Sequence, residues 1–435
     1  MDISLIALQN PWWSDKEKIK EDSKVKAVLE NGEKLVRRLE DKNLVLIGPR
    51  QTGKTTALLY DIYLKIMSGI DPKQIMYFSF DTVKDYSVVL DVLRSFVVDE
   101  KRRFVYLDEV SFVKDWQRAV KFFLDSGMSK NVRVYVTGSS SINLKKELMP
   151  GRQISIEEFV PLSFREFLLS LGSDSLKSFL GGRVAKSPSD ILSFAKEAMF
   201  YFSEISKLFS IYTVTGGYPL PIVEYLKNSN ISSNTYDIYW NSFVSDISKA
   251  GKSVEIATSI ILQILQSYSS HVSLSSIARS QGIGSHVTVR EYLETMHDLF
   301  VINEAFALDT AKVPVFRKER KIYFNDPFLF RVFSYKLGVM PEQAESKIVE
   351  GIVHQHLYRF VNRQGAALLK FGYSSQKREI DFLIGDYAIE VKWQSHVTQE
   401  DMPRTQAKHK LLLSKDTLDF GKIPIVPVPI FLAFL

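Results

Sequence analysis

The chain contains no cysteine among its 435 residues. That absence excludes disulfides, thiolate nucleophiles, thiolate zinc sites and iron–sulfur clusters. Histidine is scarce, with 7 residues and no HExxH spacing, which argues against a zinc hydrolase. No uninterrupted apolar run approaches the ~20 residues needed to span a bilayer. The opening segment MDISLIALQNPWWSDKEK lacks the basic flank and long apolar core of a signal peptide. A soluble, cytoplasmic protein with no membrane partner is therefore expected. Repeats and low-complexity tracts are absent as well. Neither sign of charge dominates: 56 Lys and Arg against 50 Asp and Glu leave a formal +6. That balance permits an acidic partner such as nucleic acid without requiring one. With 45% hydrophobic and 24% charged residues, wholesale disorder is excluded. The length suggests two to four domains at a typical size of ~150 residues each.

The pattern of apolar positions changes along the chain. Within residues 1–42, KEKIKEDSKVKAVLENGEKLVRRLE predicts one or two amphipathic helices. Short apolar strands then alternate with helices: NLVLIG, TTALLYDIYLKIMSG, QIMYFSFD, SVVLDVLRSFV, RRFVYLDEV, DWQRAVKFFLDSG and VRVYVTGSS. That rhythm implies an α/β domain with a parallel sheet covered on both faces, over residues 1–160. Residues 161–253 read as helices broken by Gly and Pro, a helical lid or linker. Residues 254–335 read as three helices followed by a β-hairpin, the winged-helix order. Residues 336–435 return to a helix and then strands.

The strongest motif is Gly48-Pro49-Arg50-Gln51-Thr52-Gly53-Lys54-Thr55, followed by Thr56. It fits GxxxxGK[ST], with a strand before it and an apolar-periodic helix behind it, and so predicts a P-loop NTPase site for ATP and Mg²⁺. Glycines let backbone N–H groups curl around phosphates, and the helix N-terminus adds partial positive charge. Lys54 is expected to reach the β- and γ-phosphates, and the Thr55 hydroxyl to ligate Mg²⁺. A second strand, Phe104-Val105-Tyr106-Leu107, ends in Asp108-Glu109. Asp108 is expected to act on the metal, mostly through water, and Glu109 to polarise the attacking water. A third strand ends in Thr137-Gly138-Ser139-Ser140. Thr137 and Ser139, unranked, are candidates to sense the γ-phosphate.

GPRQTGKTT, VYLDEV, VTGSSS and GRQISIEEFVPLSFREF together resemble the AAA-type P-loop ATPases of archaea and bacteria. The subgroup resembled carries a C-terminal restriction-endonuclease-like domain. The resemblance extends through GGYPLPIVEYL, KIYFNDPFLF and EIDFLIG…IEVKW. Arginine fingers in this superfamily often come from a neighbouring subunit, which implies a homo-oligomer. Arg152 matches an Arg that recurs in the subgroup and is the candidate, because a finger needs an always-charged, forked donor.

Residues 273–300 place a short helix, a Gly-containing turn and a longer helix in helix-turn-helix order. The second helix opens with Ser285-His286-Val287-Thr288 and carries Arg290, groups suited to phosphates or base edges. It also carries Glu291, Glu294 and Asp298, a poor face for DNA. Groove reading and protein packing both fit this segment.

Near the C-terminus, Asp381 lies in EIDFLI, and Glu390 and Lys392 lie in AIEVKW. Residues two apart on a strand share a face, so Glu390 and Lys392 should point together, with Ile389 and Val391 in the core. A carboxylate on one strand and ExK on the next is the arrangement of metal-dependent phosphodiesterases. Asp381 and Glu390 would bind Mg²⁺ or Mn²⁺, and Lys392 would orient the water and stabilise the charged phosphorane. Glu350, on the preceding helix, stands where the resembling nuclease fold places a further acidic ligand.

These readings combine into one expectation: ATP hydrolysis moves the helical lid of a protein that binds DNA and cleaves it with a metal, in repair, recombination or defence. Two alternatives keep the ATPase. In one, a protein partner is bound by a switch or scaffold whose nuclease-like domain is inactive. In the other, DNA is bound without being cut.

Overall fold

The computed structural model describes residues 3–81, 85–96, 101–127, 129–139, 154–308, 319–363, 369–373 and 378–435. The chain divides into two compact units, Met1–Val160 with Asp298–Phe300, and Pro161–His297 with Val301–Leu435.

The first unit is built on a five-stranded sheet: β1 (Leu44–Ile47), β2 (Ile75–Ser79), β3 (Arg103–Asp108), β4 (Val132–Gly138) and β5 (Ser155–Glu158). The order is β2-β3-β4-β1-β5, and every described pairing is parallel. Parallel strands need crossovers, and helices Lys54–Met67, Tyr86–Phe96 and Trp116–Asp125 supply them. Apolar side chains cover both faces. Val45, Val105 and Val134 pack into one layer, and Leu44, Leu46, Tyr106 and Tyr135 into the other. β5 escaped the sequence reading because it is four residues long, charged and half-exposed.

The second unit begins with the helices Phe164–Leu171, Asp174–Leu180, Asp190–Ala198, Phe202–Thr215, Pro219–Asn228 and Ser233–Lys249. Helices Val254–Gln266, Leu274–Ser280 and His286–Asp298 follow, and Ser273 caps the middle one. Then comes a seven-stranded sheet: β6 (Ile302–Ala307), β7 (Arg320–Phe324), β8 (Leu369–Tyr373), β9 (Glu379–Ile384), β10 (Tyr387–Lys392), β11 (His409–Ser414) and β12 (Ile425–Pro427). Its order is β12-β11-β10-β9-β8-β6-β7. The antiparallel hairpin β6–β7 stands where a wing is expected, but β6 also pairs in parallel with β8. One sheet therefore crosses the expected boundary between residues 335 and 336. Sequence spacing shows a hairpin and cannot show what its free edge pairs with.

Two softer sequence motifs meet in this unit. Asp326 caps helix Pro327–Leu337 by accepting from the Phe328 N–H at 2.8 Å, and it accepts the Gly217 N–H at 2.9 Å. A Cβ on Gly216 would lie 1.7 Å from Asp326 Oδ1, and one on Gly217 would lie 2.0 Å from the Leu162 carbonyl oxygen. The paired glycines are thus a requirement of close approach. Among the described residues, no helix is long and apolar enough to cross a membrane.

Candidate functional site

In the first unit, β1 runs directly into the glycine loop. Gly48 donates its N–H to the Gly138 carbonyl at 3.2 Å, and the Phe159 N–H reaches the Ile47 carbonyl at 2.6 Å. A Cβ on Gly48 would fall 2.0 Å from the Phe159 carbonyl oxygen, so only glycine fits. Gln51 (φ 64°) and Gly53 (φ 91°) both turn left-handed, curling the backbone before helix Lys54–Met67 begins. Within the loop, the Thr52 hydroxyl donates to the Pro49 carbonyl at 2.9 Å. Buried Lys54 donates from Nζ to the Gly48 and Pro49 carbonyl oxygens, both at 2.7 Å. Thr55 and Thr56 are half-buried in the first helical turn, and Arg50 is half-buried in the loop.

Asp108 closes β3 and is buried. Its Oδ2 accepts from the Tyr77 hydroxyl at 2.7 Å, and its Oδ1 accepts from the Thr137 hydroxyl. The Thr137 oxygen in turn accepts the Glu109 N–H at 3.0 Å. Neighbouring parallel strands β3 and β4 make this link possible by ending side by side. Glu109 takes a left-handed φ of 54°, unusual for a residue with a side chain. Burial pushes its carboxyl above the usual range, while the charges of Lys54 and Arg50 pull the other way. Its Oε2 is buried and has no hydrogen-bond partner among the described residues. An orphaned carboxylate oxygen beside a lysine fits a polar ligand or water. Thr55 would hold Mg²⁺ directly, and Asp108, whose two oxygens already accept from Tyr77 and Thr137, would act on it through water.

Thr137 is fully buried and bonded to the acidic pair, so it positions that pair from beneath. Ser139 is also buried, and its N–H donates to the Ser111 hydroxyl at 3.1 Å. Tyr77 and Ser111 were missed by the sequence reading. Both sit in apolar segments where nothing distinguishes them from core or turn residues. Arg152 lies outside the described residues.

In the second unit, Arg290 and His286 are exposed on helix His286–Asp298, Ser285 and Thr288 are half-buried, and Val289, Tyr292, Leu293 and Met296 face the core. Glu291 pairs with Lys252 at 2.9 Å, and Glu294 is exposed.

The C-terminal carboxylates converge on a cavity of about 510 Å³ lined by Lys321, Glu350, Arg378, Asp381, Glu390 and Lys392, among others. The antiparallel register of β9 and β10 pairs Ile389 with Phe382 and, continued, sets Glu390 opposite Asp381. Asp381 N–H donates to Glu390 Oε2 at 3.2 Å, and Val391 N–H donates to Asp381 Oδ2 at 2.9 Å. Lys392 reaches Glu390 Oε1 at 2.5 Å. Burial pushes the carboxyls of Asp381 and Glu390 up. Burial also pulls on Lys392, but Glu390 overrides it and the ammonium is held above its ordinary range. The core assignment needs correcting on one point. Ile389 is buried as expected, but Val391 is half-buried and Glu390 is buried. β10 lies inside the sheet, its middle residues Ala388, Ile389 and Glu390 are buried on either face and its end at Val391 and Lys392 is half-buried, so alternation does not separate core from solvent there.

A divalent ion does not fit this arrangement. Glu350 Oε1 accepts from Lys321 at 2.9 Å and from the Tyr323 hydroxyl at 2.5 Å, and its Oε2 accepts from Ser269. Asp381 Oδ1 accepts from Lys321 at 3.3 Å. With the contacts above, every carboxylate oxygen of Glu350, Asp381 and Glu390 already has a protein donor. Among the described residues, no group of three His, Asp or Glu side chains is arranged to hold a metal. The expected Mg²⁺ or Mn²⁺ set of Glu350, Asp381 and Glu390 is brought together but not as a metal cage. Sequence reading missed Lys321, whose only signal is a charge inside the apolar strand KIYF.

Residues 40–168 match the family described as AAA domain, and residues 206–343 match a domain of unknown function, DUF8612. An uncharacterized protein of Methanocaldococcus jannaschii, MJ1637, is 24% identical over 420 residues, spanning 91% of this chain and 86% of that protein. Among solved structures, the Aeropyrum pernix ORC1 protein in complex with DNA is 12% identical. The match covers 73% of this chain and 92% of that one, with a TM-score of 0.32. The Thermotoga maritima RuvB Holliday junction branch migration motor is 17% identical over 66% of this chain and 87% of that one, with a TM-score of 0.27. The likeness of residues 40–168 to the AAA domain, on the α/β parallel sheet that carries the loop, supports an AAA-type P-loop ATPase.

Proposed function

We propose that the protein is a Mg²⁺-dependent ATPase that acts as a nucleotide-driven switch on DNA, binding it without cutting it. The observation that carries the ATPase is the cluster of buried Lys54, buried Asp108 and half-buried Glu109, with one buried oxygen of Glu109 that has no hydrogen-bond partner among the described residues. Lys54 rests on neutral carbonyl oxygens, which phosphate oxygens can replace with a gain in charge pairing. The loop N–H groups and the helix N-terminus would cradle the phosphates, using Gly48 to Gly53. Mg²⁺ would neutralise charge on the β- and γ-oxygens, held by Thr55 and, through water, by Asp108. Glu109 would orient and polarise the attacking water, and Thr137 would keep the Asp108–Glu109 backbone in place. An arginine from a second copy would complete the site, with Arg152 the candidate.

DNA is the proposed partner of the second unit. The support is the positive formal balance and the paired strands that carry Asp381 and Glu390-Val391-Lys392 in a nuclease-like order. Cleavage is not expected, because the carboxylates are engaged by protein donors. One observation favours a second reading in which a protein is bound: the helix expected to read DNA exposes Glu294 and uses Glu291 in an ion pair. Labelled ATP retention and phosphate release in Mg²⁺ buffer test the ATPase, with Lys54→Ala as the loss control. DNA binding that weakens steeply with salt supports the switch on DNA, and absence of binding at low salt favours the protein partner.

A further inference from the structure

Lys321 is 1% exposed on β7, inside a ring of carboxylates. Its ammonium is ion-paired with Glu350 at 2.9 Å, with Asp381 at 3.3 Å, and with Glu379. Glu379 is held from the other side by His271, whose Nε2 is 2.7 Å away. An ammonium within ion-pairing distance of Glu350 and Asp381 takes the place of a divalent ion that would bridge those two carboxylates, while Glu390 is served by Lys392. A metal entering there would have to expel a buried cation and break its three contacts.

We propose that Lys321 is the resident cation of this centre, replacing the divalent metal and shutting the D-then-ExK arrangement to phosphodiester hydrolysis. Two features support the replacement. First, the donors around the carboxylates are complementary: Lys321, Tyr323 and Ser269 serve Glu350, Lys321 and the Val391 N–H serve Asp381, and Lys392 and the Asp381 N–H serve Glu390. Second, the charge is local. Lys321 and Lys392 offset carboxylates that would otherwise repel one another in a buried setting, which is the service a bound metal gives in such a site. This inference is independent of the ATPase reading and stands or falls without it.

The test is Mn²⁺ binding to the full chain without nucleotide, read by the loss of the free-ion paramagnetic signal. Wild type, Asp381→Asn, Lys321→Met, Lys321→Gln and the double variant Lys321→Met with Asp381→Asn are compared. The wild type is expected to take up no Mn²⁺ that depends on Asp381. Lys321→Met or Lys321→Gln, checked for folding by circular dichroism, is expected to gain one equivalent. The double variant should lose that gain by at least ~10-fold in affinity, since a carboxylate ligand has been removed. Wild-type uptake of one equivalent that Asp381→Asn abolishes overturns the proposal, as does a folded Lys321 variant that gains none. If both Lys321 variants fail to fold, the wild-type comparison with Asp381→Asn decides alone.

Discussion

Each unit of this protein has one buried lysine at its polar centre, and the two lysines are held in opposite ways. Lys54 donates to two main-chain carbonyls of its own loop. Lys321 is ion-paired with Glu350, Glu379 and Asp381. A carbonyl is a weak enough acceptor that a triphosphate can displace it, whereas exchanging a ring of carboxylates means leaving buried charge unpaired. Both sites are polar and buried, but only the first is built to exchange its partner. The left-handed Glu109 and its orphaned oxygen tell the same story in the first unit. In the second, the carboxylate oxygens of Glu350, Asp381 and Glu390 are all engaged.

The contrast can be broken most sharply by Glu109→Gln. ATP retention should persist while phosphate release falls by ~10²- to 10⁴-fold, the usual range for loss of a general base. Unchanged turnover would mean that the unsatisfied carboxylate is not part of the chemistry.

Next in size is a pair of lysine removals compared by urea unfolding. Lys321→Met should cost ~3–5 kcal/mol, because it leaves buried Asp381 and half-buried Glu350 and Glu379 without their shared cation. Lys54→Met should cost less, ~1–3 kcal/mol, through the loss of hydrogen bonds to neutral carbonyls and of its attraction to the Glu109 carboxyl. Equal costs would erase the distinction between the two sites.

Asp326 sharpens the comparison as a buried carboxylate held mainly by backbone N–H groups. Burial pushes its pKa to about 7, with the Gly217 and Phe328 N–H groups and the Arg359 charge opposing. The folded protein then binds a proton at pH values where the unfolded chain, with an ordinary value of about 4, does not. This contribution to stability is full below about pH 4 and declines as pH rises toward about 7. Asp326→Asn should flatten that portion of the stability–pH curve, measured by denaturant midpoints across the window. An unaltered slope would assign it to other groups.

An effect close in size to that of Lys54→Met is expected from Thr137→Val. It leaves the buried Asp108 oxygen and the Glu109 N–H without a partner, at a cost of ~1–3 kcal/mol. ATPase activity should fall further than ATP retention, because Thr137 holds the acidic pair and not the loop.

The two sites differed in how far they could be read from the sequence. Gly48 to Thr56 are consecutive, and strand, loop and helix fix one another's geometry over a few residues. Asp108 and Glu109 were legible because a charged pair closing an apolar strand is conspicuous. Thr137 stands out at the end of its strand, but its link to Asp108 depends on which strands are neighbours. β5 was missed because charged residues on a half-exposed edge strand look like a loop. In the second unit, the hairpin Ile302–Ala307 and Arg320–Phe324 was visible, whereas its incorporation into the larger sheet was not.

What the sequence determined by itself was the nucleotide loop and the order of its elements, since those depend on local spacing and backbone freedom. What only the tertiary structure decided was the fate of the C-terminal carboxylates. Lys321 precedes Asp381 by 60 residues and reaches it only because β6 pairs with both β7 and β8. Strand register and sheet order are set by the sum of long-range packing, so no short motif could announce that a lysine fills the place of a metal.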